Sequence, residues 1–395
     1  MSNLPTYGFI ILDLGQQIVR RNQKNKNGKK RKFKADAELA EFTTNLHPET
    51  ATMRREHIKL DLYPNYPPLD DTNAGQRATH PTPADFKAAE ERILKDFTLI
   101  TYGRLALYER PRKSTPNTKR EEYCIPVKNS VVTNESTELD QPNNESTEQD
   151  QPKNESTEPD QPENESTKPD QPKKPKCAFI AYIQFTPSEE LTEEDKHDLN
   201  SITTFLHNSR GFVKPVNLLR KIFRGRMWTI GWRKSQTTGE MAGRYVDTDG
   251  ITKKPLAYLE NLINGISASD LIHKLFYSIS DAAVDAANVL LTSLGLPGYC
   301  DPNLKRSTSN CFASNLAFTR DEFSNRPHCD SDKTKTAFLL LSNVNKANGL
   351  IALTSHQDPT FTGPFFVFPH HRVAIDLRKL NGICRVVFDA VVLAA

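Results

Sequence analysis

The spacing of apolar and polar residues predicts both strands and helices in the first three quarters of the chain. The nearly continuous apolar run Cys177–Phe185 is typical of a strand that is buried on both faces. Helical periods occur in residues 83–94, 191–208 and 256–296. The last of these is long enough for two helices, and the sequence allows a break near Gly265 or at Ser278–Ser280.

Two further segments have the pattern of strands. Tyr7–Leu14 is apolar and predicts a buried strand, and residues 99–109 predict two short strands joined by a turn. In Arg226–Lys234, alternation places Trp228 and Trp232 on one face. We interpret these tryptophans as core residues, because large aromatic rings stabilise proteins mainly through burial. A wall on which nucleic-acid bases stack is the alternative.

From residue 315 onward the pattern changes to short apolar runs that are separated by turn residues. The runs are residues 316–319, 336–341, 349–353, 365–368, 372–377 and 383–393. Many short strands at spacings of roughly 8–12 residues are typical of a sandwich or jelly roll. The C-terminal part of the chain is therefore expected to be a β structure.

Residues 134–173 are four copies of a polar decapeptide that begins Asn-Glu-Ser. Such a segment has almost no apolar surface to bury, so we expect it to be disordered. We therefore divide the chain into an N-terminal region (1–125), a repeat linker (126–176) and a C-terminal domain (177–395). The repeats hold 12 acidic residues and three lysines, so they contribute −9 to a total charge of +3, and the rest of the chain is +12.

A basic segment, Arg20–Lys34, holds nine Lys and Arg residues and no acidic residue. Such clusters are used in nuclear import and in contacts with nucleic acid. A solvated flexible arm is the alternative. The expected nucleic-acid contacts are Arg20, Arg21, Lys29, Lys30, Arg31 and Lys32.

The six cysteines are scattered and none forms a Cys-x-x-Cys pair, so we expect free thiols and neither a zinc knuckle nor a disulfide framework. The longest apolar runs fall short of the roughly 20 residues that a membrane span requires. The N-terminal apolar run lacks the flanking features of a signal peptide. We expect a soluble, monomeric, intracellular protein without a membrane partner.

Two His-x-Asp triplets are candidates for a metal site. In this motif an imidazole and a carboxylate two residues apart point to one side of an extended strand, where both can bind one metal ion. With a second histidine they form the facial triad of non-haem iron(II) oxygenases. His328 and Asp330 lie between two predicted strands and are favoured, whereas His356 and Asp358 lie in a polar loop and are expected to face solvent.

Several blocks of sequence resemble one known family. They are residues 102–111, 177–187, 205–216, 225–234, 243–245, 316–332 and 363–377. In order and spacing they resemble the Tet-like 2OG-Fe(II) oxygenases of the fungal type, from about Leu99 to the C-terminus. The resemblance implies an α+β fold with a double-stranded β-helix (jelly-roll) core, flanking helices and, in this chain, the disordered repeat as an insert. It implies Fe(2+) and 2-oxoglutarate as cofactor and co-substrate, and a methylated pyrimidine in DNA or RNA as the target of a nuclear enzyme.

By the same resemblance, His328 and Asp330 match the family's metal ligands. The family's second histidine, and the arginine that binds 2-oxoglutarate, follow the strand that corresponds to residues 383–393, and neither occurs before Ala395. This departure predicts a chain truncated at its C-terminus and raises the alternative of a catalytically impaired protein that binds nucleic acid. His370 or His371 could replace the missing ligand, although we expect a surface pair beside Arg372, and Arg385 is a speculative ligand of 2-oxoglutarate.

Overall fold

A computed structural model describes residues 5–13, 49–53, 62–63, 81–109, 178–216, 222–234, 242–304, 309–325, 327, 334–353, 364–378 and 380–390. All of them belong to one unit of the chain, Met1–Arg112 with Cys177–Ala395. The other unit, Lys113–Lys176, lies outside the described residues, and so does the decapeptide repeat. The domain boundaries and the disorder of the repeat therefore stay predictions.

The helices are α1 (Pro83–Asp96), α2 (Glu193–Ser209), α3 (Thr248–Lys253), α4 (Pro255–Tyr277) and α5 (Asp281–Ser293). A Thr-x-x-Asp capping box begins α1, where Thr82 Oγ1 accepts a hydrogen bond from the backbone N–H of Asp85. The same arrangement of Thr192 and Asp195 begins α2. The predicted break between two long helices is confirmed at Ser278–Ser280, whereas Gly265 lies inside α4.

The strands are β1 (Pro5–Asp13), β2 (Glu49–Met53), β3 (Thr98–Ile100), β4 (Arg104–Glu109), β5 (Ala178–Pro187), β6 (Ile222–Lys234), β7 (Ala242–Arg244), β8 (Asn315–Asn325), β9 (Thr336–Asn345), β10 (Phe365–Phe368), β11 (Val373–Asp376) and β12 (Gly382–Asp389). The predicted strand in residues 349–353 is wrong. Gly349 adopts a turn conformation with φ +79°, and after it only an isolated bridge joins Ile351 to Val344. A positive φ is compatible with a turn but not with a regular strand.

The described strands form two sheets. The large sheet has nine strands in the order β2-β4-β5-β12-β9-β1-β8-β6-β7, and the small sheet has three in the order β10-β11-β3. Neighbours in the large sheet are antiparallel except β2 and β4, whereas β11 and β3 of the small sheet are parallel. The result is a mixed structure of sheets and helices, which agrees with the predicted α+β class. The double-stranded β-helix stays a prediction.

The large sheet is covered on both sides, which explains the continuous apolar runs in β5, β9 and β12. We call the side against α2, α4 and α5 the helix face; there Phe338 and Leu340 of β9 join a core with Ile272 and Phe276 of α4. We call the other side the sheet face; there Leu339 of β9 packs against the small sheet. Because successive side chains of a strand point to opposite faces, every position of such a strand is buried.

Candidate functional site

The favoured metal ligands, His328 and Asp330, lie outside the described residues, and so do His356, Asp358 and the basic segment Arg20–Lys34. The strands on either side of His328 and Asp330 are described. Both β8 and β9 pair with β1 in antiparallel fashion, so they run parallel to each other with β1 between them. The chain therefore passes from the end of β8 to the start of β9 through the residues that carry the His-x-Asp motif.

The end of β8 has an unusual backbone. Asp321 and Glu322 both have positive φ angles, 60° and 56°. A left-handed conformation costs a residue with a side chain on the order of 1–2 kcal/mol. Opposite them, Gly225 also has a positive φ, and a Cβ atom on it would lie 2.5 Å from the carbonyl oxygen of Arg320. The register of β6 and β8 shifts at this place, so the two strands form a bulge.

Two ion pairs between side chains stabilise the bulge. Lys346 Nζ lies 2.9 Å from Asp321 Oδ1, and Arg224 Nη1 lies 3.5 Å from Glu322 Oε2. The bulge redirects β8 six residues before His328. Backbone strain of this kind concentrates near functional sites. No sequence pattern predicts this bulge, apart from the tolerance of Asp for the left-handed region.

His371 occupies a position that differs from the expected surface pair. It lies in a 3₁₀ turn, Pro369–His371, between β10 and β11, and it is only 3% exposed. Its Nε2 lies 3.4 Å from Oε2 of Glu109 at the end of β4. The expectation of a surface pair is therefore wrong for His371, because the turn brings the ring against the edge of β4. His370 is half-buried.

Arg385 lies on the helix face and is 8% exposed. Its Nη1 donates to the carbonyl oxygen of Leu275 and to Ser278 Oγ, both at 2.9 Å, and its Nη2 donates to Thr186 Oγ1 at 3.3 Å. A cation at the C-terminal end of a helix is stabilised by the helix dipole. Burial lowers the pKa of this guanidinium. These contacts give Arg385 a structural role at the end of α4, and its role at 2-oxoglutarate stays a prediction.

Trp228 and Trp232 are core residues, as the alternation in β6 predicted. Trp228 is 5% exposed and stacks on Phe318 with a ring separation of 5.7 Å. Trp232 is 7% exposed, and its Nε1 donates to the carbonyl oxygen of Asp301 at 3.1 Å. Neither ring presents an open face large enough for base stacking.

Among the described residues, no group of three or more His, Cys, Asp or Glu side chains is placed to hold a metal ion. Because His328 and Asp330 are not among the described residues, their fit to iron is judged from the chemistry of their donor atoms. One imidazole and one carboxylate in a His-x-Asp motif match two of the three ligands of a facial triad. The two candidates for a third ligand are His370 and His371. Of these, His371 is buried and lies beside Glu109.

Comparison with known proteins defines the class. The family model of the Tet-like 2OG-Fe(II) oxygenase superfamily matches residues 192–391. The matched region is half of the 395 residues. The chain belongs to this superfamily. Searches of curated proteins and of solved structures find no match. Within the described residues, no helix is both long and apolar enough to cross a membrane.

Proposed function

We propose that this protein is an iron(II)- and 2-oxoglutarate-dependent dioxygenase that oxidises 5-methylcytosine or a related methylpyrimidine in nucleic acid. The observation that carries the proposal is the family match, because residues 192–391 include both His328 and Asp330. The family implies Fe(2+) and 2-oxoglutarate. An iron ion with this co-substrate supplies the oxidising chemistry, while the protein supplies ligands, orientation and a dry surrounding.

The residues proposed to hold iron are His328, Asp330 and His371. His371 is preferred to His370 because it is almost completely buried, whereas His370 is half-buried. Burial protects a ligand from competition with water. A carboxylate beside the ring, here that of Glu109, is the partner that commonly orients a histidine ligand.

The two facing sheets support a rolled architecture for this site. Phe366 and Phe368 of β10 pack against Phe388 of β12, so the small sheet closes over the sheet face of the large sheet. We propose that these two layers are the walls of a double-stranded β-helix. An apolar interior of this kind limits the access of water to a reactive centre.

A nucleic-acid substrate fits the charge of the chain. Outside the acidic repeat the net charge is +12, and a basic surface attracts the phosphate backbone. In β6, Arg226 is exposed, and Arg224 and Arg233 are half-buried. The basic segment Arg20–Lys34 adds nine more cations and supports a proposed nuclear location.

The proposal is tested by turnover of the full chain with Fe(II), 2-oxoglutarate and a duplex that contains 5-methylcytosine. Succinate and the oxidised base are measured by mass spectrometry. His328→Ala and Asp330→Ala are expected to reduce both products by on the order of 100-fold or more, since even partners of metal ligands contribute 10–100-fold. His356→Ala and Asp358→Ala, which change the other His-x-Asp motif, are the matched controls and should retain activity.

Succinate production no higher than that of His328→Ala would contradict the proposal. If the inactive chain still binds the duplex in the presence of a chelator, and Asp330→Ala binds equally well, the protein is a catalytically impaired nucleic-acid-binding protein. The third ligand is tested by Fe(II) affinity. His371→Ala should weaken it by on the order of 10–100-fold and His370→Ala should not, with thermal melting of both variants as the measure of folding.

A further inference from the structure

The outer side of α4, which points away from the large sheet, carries a stripe of apolar residues. The inner side of this helix packs into the core of the helix face through Ala268, Ile272 and Phe276. A helix at a protein surface ordinarily has polar residues on its other side, and the exposed residues of α2 follow that rule. On α4, four large aliphatic residues are exposed instead, and we call them the outer stripe: Leu256, Leu259, Ile263 and Ile266.

The outer stripe leaves a large apolar area open to solvent. Leu256 is 79% exposed, Ile263 67%, Leu259 55% and Ile266 44%, so together they expose more area than two such residues exposed completely. Exposed apolar residues that are scattered singly are normal, whereas a contiguous group of large ones marks an interaction surface. Val289 on α5, which is 68% exposed, is an example of the scattered kind.

The spacing of the outer stripe matches the seam of a coiled coil. Its residues follow one another at intervals of three, four and three, which are the a and d positions of two heptads. They lie along one line of the helix over about 15 Å. Side chains at these positions insert between those of a second helix that has the same spacing. The α4 helix of a second copy of this chain supplies such a helix.

The two ends of the outer stripe carry opposite charges. Lys253 and Lys254, both exposed, come directly before it, and the exposed Asp270 follows Ile266 at the next a position of the same seam. Asp270 accepts a hydrogen bond from Asn310 Nδ2 at 3.1 Å, and it forms no ion pair with a described lysine or arginine. In an antiparallel pair of α4 helices, the lysines of each copy lie beside Asp270 of the other. A parallel pair would bring like charges together, which is unfavourable.

We propose that the protein forms a homodimer in which the outer stripes of two copies pack in antiparallel fashion about a two-fold axis. Such an interface uses the same surface on both subunits, so Leu256 lies beside the partner's Ile266 and Leu259 beside the partner's Ile263. Together with flanking residues, the two stripes bury on the order of 1,000 Å², the lower limit for a specific interface. The expected dissociation constant is therefore micromolar. The dimer differs from the monomer expected from the sequence, and it requires neither iron nor 2-oxoglutarate.

The test measures the mass of the full chain in solution by sedimentation equilibrium, over the micromolar range and with a chelator present. The unaltered chain should change from monomer to dimer as its concentration rises. Ile263→Lys should weaken the dimer about 100-fold or more, because the lysine would be buried in the interface without a partner. The matched control is Val289→Lys, which places the same charge at an equally exposed position outside the outer stripe. It should dimerise like the unaltered chain.

The direction of the two helices is tested by exchanging the charges at the ends of the stripe. Asp270→Lys should weaken the dimer about 10-fold, because an exposed ion pair is lost at each end of the interface and like charges replace it. The triple variant that adds Lys253→Glu and Lys254→Glu should recover the affinity of the unaltered chain. Failure of the triple variant to recover it would overturn the antiparallel arrangement.

A chain that stays monomeric through the micromolar range would overturn the proposal. Equal effects of Ile263→Lys and Val289→Lys would also overturn it, since any association would then depend on net charge or on a different surface. Thermal melting of each variant separates loss of the dimer from loss of folding. His328→Ala should dimerise normally, so failure of the oxygenase proposal and failure of this one give different results.

Discussion

Cys384 and Cys311 are both completely buried, but they lie on opposite faces of the large sheet. On the sheet face, burial raises the pKa of the Cys384 thiol, because the thiolate would lie among apolar side chains. On the helix face, burial also opposes ionisation of Cys311. Hydrogen bonds with Cys300 and Ser269 outweigh it and lower the pKa to about 7.

The difference between these cysteines reflects how each face is closed. Two sheets close the sheet face, and their backbone polar groups are used in strand pairing. The apolar cluster between them includes Leu339, Phe368 and Cys384. The buried polar side chains on this side include Asn343, which donates to the carbonyl oxygen of Leu380, and His371 beside Glu109. Helices close the helix face, and their ends and turns present polar groups such as the carbonyl oxygen of Leu275. Buried Asn261, Ser269 and Arg385 lie on this side. The helix face therefore contains an apolar core and also buried polar side chains that can form hydrogen bonds.

The largest expected effect comes from removing one phenylalanine from each face. Phe368→Ala on the sheet face should lower the free energy of unfolding by about 4–5 kcal/mol, and Phe276→Ala on the helix face by about 3–4 kcal/mol. Both rings are fully buried. The helices can shift to fill part of the cavity, whereas paired strands cannot. Urea denaturation measures both, and a smaller loss for Phe368→Ala would contradict the comparison.

Arg385→Met tests whether the buried cation stabilises the end of α4. Its hydrogen bonds to Leu275, Ser278 and Thr186 would be lost, and the expected decrease in stability is about 2–3 kcal/mol, the value of bonds to a charged group. Hydrogen exchange should also increase in the last turn of α4. Lys95→Met, which removes an exposed cation from the last turn of α1, is the control; an equal loss there would argue against a specific role.

The same substitution at the two buried cysteines should have unequal effects. Cys384→Ser places a hydroxyl among apolar side chains and should cost about 1–2 kcal/mol. Cys311→Ser should cost less than about 0.5 kcal/mol, since the thiol already donates to the carbonyl oxygen of Ala313 at 3.2 Å. Thermal and urea unfolding of the two variants measure the difference. Equal costs would mean that the faces do not differ in polarity.

The smallest expected effect is a change in the pH dependence of stability. Burial and the charges of Arg210 and Arg320 lower the pKa of His207 on α2 to about 4 from its ordinary value of 6.5. The unfolded chain therefore binds a proton that the folded chain does not, and stability should fall as the pH decreases from 6.5 to 4. His207→Asn keeps an acceptor for Arg320 and should reduce this slope. An unchanged slope in urea unfolding from pH 4.5 to 7 would exclude His207 as its source.

Local patterns were sufficient to predict much of the fold. The apolar run of β5, the helical period of α2 and the alternation of Trp228 and Trp232 each describe a neighbourhood within a few residues. The structure confirms all three. The pattern at Gly349–Leu353 resembles a strand, but the positive φ of Gly349 and its contact with His207, only 2.5 Å from a Cβ atom at that position, favour a turn.

The parts that sequence could not predict depend on residues far apart in the chain. The His-x-Asp motif marks His328 and Asp330, but no local pattern predicts that His371 is buried, because that depends on how β4 and the turn after β10 meet. A small pocket on the helix face is lined by Ser209, Arg244, Asn261 and Tyr299, which come together from four separate parts of the chain. The partners of Arg385 at the end of α4 lie 107 residues or more away in the chain, so the sequence could not show these contacts.

The position of β1 within the large sheet affects when the sheet can form during synthesis of the chain. The strand lies inside the large sheet, yet β8 and β9, its two neighbours, come about 300 residues later in the chain. At roughly 5–20 residues per second, a ribosome needs on the order of 15–60 s to supply them. During this interval β1 has emerged without its partners, as an apolar segment open to chaperones. The large sheet can be completed only after β12 has also been synthesised.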